Sequence, residues 1–141
     1  MQNFPDNSIF LGIDFGMCNI GVASGQKITA TATPLCIVHA KHGVPNWADF
    51  DKIIEEWRPA ALIVGVPIDL DGKEQWITKL AEDFIADLEK RYKLPVYGVN
   101  EQLTTKSARE RIFAAGGFKA LKKAEIDSIA AKLILEGWFL K

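Results

Sequence analysis

Cysteine is scarce. The 141 residues hold two, Cys18 and Cys36, and neither stands in a CxxC pair. A disulfide framework or a thiolate cage is excluded, and free thiols fit a reducing compartment. Histidine is equally sparse. His39 and His42 form an HxxH pair with no acidic residue beside them, on a segment ending Gly43-Val44-Pro45. That pair reads as structural or solvent-facing rather than as a metal site. No apolar run approaches the ~18 residues needed to cross a bilayer. The opening MQNFPDNS lacks the basic and apolar stretches of a secretory signal, so a cytoplasmic location is expected. Net charge is close to zero, at −1, so a polyanion would be drawn to a local patch and not to the whole molecule.

Apolar residues make up 48% of the chain and charged residues 25%, enough for one core without covalent staples. Residues 1–141 read as one domain, with no internal repeat or long linker. Ile9–Asp14 is an apolar strand closed by Gly16. Ile20–Ser24 and Ile28–Thr33 follow as strands around a turn at Gly25-Gln26-Lys27. Asn46 has the character of a helix N-cap. Trp47, Phe50, Ile53, Ile54 and Trp57 then recur at helical spacing until Pro59. Ala60–Val66 is uniformly apolar, as expected of a strand covered on both faces. Lys73–Tyr92 predicts a helix with Trp76, Leu80, Phe84 and Leu88 on one stripe. Pro95–Val99 predicts a strand, and Thr105–Ala114 and Ala124–Phe139 predict helices. The fold class is α/β: a mixed five-stranded sheet, three strands antiparallel and then two parallel, with helices on both faces.

Three carboxylates stand where an α/β fold places chemistry. Asp14 ends an apolar strand, where an unpaired charge is costly. Glu101 directly follows the Val96–Asn100 segment, and ligands gather outside the carboxyl ends of strands. Asp127 lies on the same helical side as Ala130, Ala131 and Ile134, so it is expected to face inward. Each has a plainer reading: a turn aspartate, a loop glutamate, a helix-start aspartate that complements the dipole. Gathered together, they would demand cations. Mg²⁺ suits a few carboxylates plus water and phosphate oxygens, and a pair of such ions suits in-line displacement at phosphorus. Between Gln102 and Ala124, six cations, among them Arg109, Lys119, Lys122 and Lys123, face Glu110 alone, a net +5. That stretch is either a solvated face or a phosphate grip.

The segments LGIDFGMCNIGVASGQ, ALIVGVPIDLDGKEQ, NEQLTTKSARERI and GGFKALKKAEIDSIAAKLILEGWF resemble the successive motifs of the YqgF family. These are pre-16S rRNA nucleases, also described as Holliday-junction-resolvase-like proteins. The resemblance runs from about Ile9 to Phe139 and implies a ribonuclease H-like fold. Matched by motif, Asp14, Glu101 and Asp127 correspond to the family's catalytic, metal-binding carboxylates. The resemblance also implies two ions, Mg²⁺ or Mn²⁺, and action on RNA in maturing the 5′ end of 16S rRNA. The pattern departs at Met17 and Cys18, where the family usually has a threonine and then a basic residue, and at Asn100 and Gln102, where it usually has an aspartate and an arginine around the glutamate.

The sequence thus predicts a metal-dependent nuclease. Asp14, Glu101 and Asp127 would serve as catalytic and metal residues, with Lys119, Lys122, Lys123 and Arg109 on the substrate. Precursor rRNA is the expected partner, structured DNA the alternative, without membrane association, and the state is a monomer or weak homodimer. The rival readings are a Holliday-junction resolvase using the same site and a nucleic-acid-binding module without catalysis.

Overall fold

A computed structural model describes residues 4–66, 75–100 and 123–140. Its sheet starts from the apolar run identified above. β1 (Ile9–Asp14) pairs antiparallel with β2 (Asn19–Gln26), which pairs antiparallel with β3 (Thr31–Lys41). A two-residue β4 (Val44–Pro45) folds back on β3. On the other side of β1 lie β5 (Ala61–Val66) and then β6 (Val96–Asn100), both parallel to it. The order across the sheet is β4-β3-β2-β1-β5-β6.

The sheet therefore has six strands where five were expected, the extra one being the short β4 edge. The expected third strand, Ile28–Thr33, is displaced. The turn falls at Lys27–Ala30, closed by the Ala30 amide donating to the Lys27 carbonyl at 3.0 Å, and β3 runs on to Lys41. Ile28 suggested a strand by residue type, but it sits at the turn, 65% exposed. Hairpin geometry outweighs the β-propensity of one residue there. The strand's continuation through Thr33-Pro34 was hidden because Pro34 discourages a strand assignment.

Three helices are described. α1 (Trp47–Trp57) is capped by Asn46, whose side chain accepts from the Ala48 amide at 3.2 Å. It ends at Arg58, in left-handed conformation at φ 46°, one residue before Pro59. α2 spans Gln75–Tyr92 and α3 spans Lys123–Phe139. The expected Thr105–Ala114 helix lies outside the described residues.

Alternation along the strands divides the core in two. Leu11 and Ile13 of β1, with Phe15 just past it, join Leu62 and Val64 of β5 against Phe50 of α1 and Phe84 and Leu88 of α2. Phe10, Ala61 and Ile63 face the other way, onto Ile134, Leu135 and Phe139 of α3. β5 is buried on both faces, which is why its sequence shows no polar residue. Each fully buried Phe or Leu contributes about 1.5–3 kcal/mol of transfer free energy. Trp47 and Trp138 belong to these clusters as partly buried packing residues.

Candidate active site

The β1 alternation fixes where Asp14 goes. Since Ile13 and Phe15 face α1 and α2, Asp14 lies on the α3 face, at the carboxyl end of its strand. It is 7% exposed, and its Oδ1 has no hydrogen-bond partner among the described residues. A buried carboxylate oxygen left unsatisfied is expensive. It is the kind of atom a cation would satisfy.

Asp14 pairs with Gly21 on one side and Gly65 on the other, and neither neighbour projects a side chain. The row continues to Ile37 of β3 and Val99 of β6. Gly16 follows for a separate reason: a Cβ there would run into the Asn19 carbonyl oxygen. The Asp-Phe-Gly sequence is thus a strand end plus a turn that only glycine closes.

α3 approaches this edge antiparallel to β1. Phe10 packs on Trp138 and Phe139, with ring centroids 5.2 and 5.7 Å apart. Two residues on, Gly12 lies beneath Ala131 and Leu135. Two further residues advance β1 by about 6.6 Å to Asp14. Four residues back from Ala131 retreat along α3 by about 6 Å to position 127. The backbone of Asp127 therefore stands level with Asp14. Its side chain lies outside the described residues.

β6 delivers the chain to the same edge. Its last residue, Asn100, pairs with Val66, one step beyond the Asp14–Gly65–Val99 row. Glu101 is the next residue in sequence, and it lies outside the described residues with Arg109, Lys119, Lys122 and the side chain of Lys123. Among the described residues no three His, Cys, Asp or Glu side chains gather within reach of one ion.

Met17 takes a packing role. It is half-buried against the α1–α2 side of the core, and its carbonyl accepts from the Gly43 amide at 3.0 Å. The neighbouring Cys18 carbonyl accepts from the Ala40 amide at 2.8 Å. The loop after Asp14 is thereby tied to the β3–β4 hairpin. Sequence reading missed both this tie and the flanking glycines. Gly21 and Gly65 did carry a signal, since a glycine inside an apolar strand marks a close approach.

The strongest ion pair among the described residues lies elsewhere. Arg91 holds Asp51 with two hydrogen bonds of 2.9 and 2.8 Å, and the Tyr92 hydroxyl donates to Asp51 at 2.7 Å. The Arg91 hydrogen bonds hold the Asp51 carboxyl down at about 2. Arg91 also lies over the Trp47 ring, 5.0 Å from its centroid. This group fastens α1 to α2 and belongs to the scaffold.

Comparison with known proteins places this geometry. The family described as "RuvX: Holliday junction resolvase" matches residues 8–141. The chain belongs to this family. A RuvX relative from Legionella pneumophila (strain Paris) is 48% identical over 130 residues, 92% of this chain and 94% of that one. It bears the name "Putative pre-16S rRNA nuclease". One of the same name from Actinobacillus pleuropneumoniae serotype 5b is 50% identical over 129 residues, with the same coverage of 92% and 94%. Among solved structures, T. thermophilus RuvC in complex with a Holliday junction substrate matches with TM-score 0.57 at 15% identity, over 95% of both chains. The yeast mitochondrial Holliday junction resolvase Ydc2 matches with TM-score 0.53 at 12% identity, over 96% of this chain and 80% of that one. At such identities the likeness is one of fold. It places this RuvX chain among ribonuclease H-like resolvase folds, in agreement with the resemblance read from its motifs.

Proposed function

We propose that this chain is a nuclease that hydrolyses phosphodiester bonds of RNA, with the 5′ precursor of 16S rRNA as its substrate. The observation that carries the reading is Asp14: a buried carboxylate with an oxygen unpartnered among the described residues, at the strand end that α3 brings level with the backbone of Asp127. The names of relatives at 48–50% identity support the substrate.

Asp14, Glu101 and Asp127 would hold divalent cations, two Mg²⁺ or Mn²⁺. When bound, such ions supply activation of water and charge stabilisation at the phosphate. The protein's own part is positioning. β1 fixes Asp14 rigidly. Gly21 and Gly65 keep side chains away from its flanks, so that a phosphate can come close. Lys119, Lys122, Lys123 and Arg109 would neutralise neighbouring phosphates and hold the strand in register. Residues 1–141 act as one unit in this reading, as a monomer or weak homodimer in the cytoplasm. No described helix is long and apolar enough to cross a membrane.

The family's description supports a second substrate, a four-way DNA junction cut by the same carboxylates. Purified protein incubated with precursor 16S rRNA and with a four-way junction, in Mg²⁺, Mn²⁺ or EDTA, separates the readings. Metal-dependent cleavage of the RNA is expected. Preferential cutting of the junction would transfer the site to DNA, and binding without cleavage in either metal would overturn the nuclease.

A further inference from the structure

His39 and His42 belong to a piece of structure that the proposed chemistry does not use. We propose that the β3–β4 hairpin is a second contact for the nucleic-acid backbone, with Lys41 and His42 as the phosphate-binding groups. The inference rests on the nuclease reading above and adds to it a surface separate in sequence from the basic stretch of residues 106–123.

Three observations carry it. The first is position. Asp14, Gly21 and Ile37 form one row across β1, β2 and β3, so β3 continues past the Asp14 edge through His39 to Lys41. The second is the face. Val38 and Ala40 pack on the α1–α2 side of the core, so His39 and Lys41 lie on the opposite face, the one Asp14 occupies. Four residues along the strand and two strands across put the Lys41 backbone roughly 17 Å from Asp14. At about 3.4 Å per nucleotide of duplex rise, that is about five phosphates from the reacting one.

The third is rigidity. Lys41 pairs with Val44 around a two-residue loop, His42-Gly43, with φ values of 52° and 81°. Positive φ at both central residues is what a tight type I′ hairpin requires, and histidine tolerates that region better than most residues. The loop is bolted to the segment after Asp14 by the Gly43–Met17 and Ala40–Cys18 hydrogen bonds, with Gly43 against the Phe15 ring. At its base, Nδ1 of His39 is hydrogen-bonded to Oδ1 of Asn19 at 3.2 Å. Lys41 and His42 are both exposed. An ammonium and a ring N–H held on a stiff support beside a carboxylate site suit a phosphodiester strand. Such contacts set register and carry no base information, so RNA and DNA substrates would both use them.

The test is binding across a salt series with EDTA present, so that no cleavage occurs, using a double-stranded RNA oligomer and a four-way DNA junction as probes. Lys41→Gln should lower the salt slope by about 0.9, so that its deficit against the native protein narrows roughly threefold between about 50 and about 200 mM salt. Lys41→Arg should restore the slope. His42→Asn, which keeps the turn, should weaken affinity with little change in slope. Unchanged slope and affinity in Lys41→Gln, or no binding of either probe by the native protein, overturns the hairpin contact. The nuclease reading fails separately, through absence of metal-dependent cleavage. A protein that binds through Lys41 but never cleaves would lose the activity and keep the hairpin.

Discussion

A Cβ built on Gly12 would come within 2.5 Å of the Ala131 carbonyl oxygen and 2.8 Å of the Leu135 Cβ. β1 and α3 are therefore in backbone contact, and that contact sets the height of Asp127 against Asp14. Gly12→Ala should push α3 off the sheet. The expected cost is about 1–3 kcal/mol, as for other overpacked cores. Cleavage should fall more than this stability loss explains, because the two carboxylates part. Thermal melts and cleavage rates measured below the melting range test this. A variant with native activity would show that α3 need not sit so close.

Asp14→Asn removes a buried charge whose Oδ1 lacks a partner among the described residues. In EDTA the variant should be as stable as the native protein or more so, since an unpaired buried carboxylate is costly. With Mg²⁺ or Mn²⁺ the order should reverse, because binding to the folded state stabilises by mass action and a ligand has been lost. Cleavage should drop by more than about a hundredfold, exceeding the loss typical of residues that merely support a ligand. Asp127→Asn should behave alike in all three measurements. If Asp127→Asn keeps full activity and the full metal-induced rise in Tm, the three-carboxylate site does not exist.

Lys119→Ala combined with Lys122→Ala and Lys123→Ala should weaken RNA binding and flatten its salt dependence by up to about 2.7 in slope, three contacts at about 0.9 each. Binding curves that superimpose on the native ones across the series would make that stretch a solvated surface.

Asp51→Asn tests the α1–α2 fastening. The Asp51 carboxyl is lowered to about 2 from its ordinary 3.8, chiefly by its hydrogen bonds from Arg91. A group with a depressed folded value stabilises above its unfolded value and loses that stabilisation as pH falls through the folded one. The variant should therefore melt earlier than the native protein above about pH 4. The gap should close as pH falls towards 2. Tyr92 works in the opposite direction: burial first, then the Asp51 hydrogen bond, raises its hydroxyl. Its stabilisation holds below its ordinary value of 10 and fades as pH rises past it. A gap that stayed constant down to pH 2 would deny Asp51 this role.

Much of this fold can be read from residues alone, for identifiable reasons. β1 and β5 are legible because an unbroken apolar run has no alternative burial, and α1 because Asn46 and Pro59 bracket a helical period. Asp14 was legible as a charge where charge is costly. β3 was not, because Pro34 interrupts its pattern and its outer residues face solvent. β4 was invisible at two residues. The Asp14–Asp127 relationship depends on Gly12 letting two backbones touch, a distance between elements over a hundred residues apart that no local pattern encodes. Met17 was expected near the substrate by motif position, whereas the half-buried packing of its side chain is a tertiary fact.

The α3 helix is the last of the described elements in chain order, and it packs on β1, β2, β3 and β5. Until it arrives, Phe10, Ala61 and Ile63 lack Ile134, Leu135 and Phe139, and Asp14 lacks the helix turn that carries Asp127. Closing the second core layer and bringing the backbone of Asp127 level with Asp14 are therefore one event in folding.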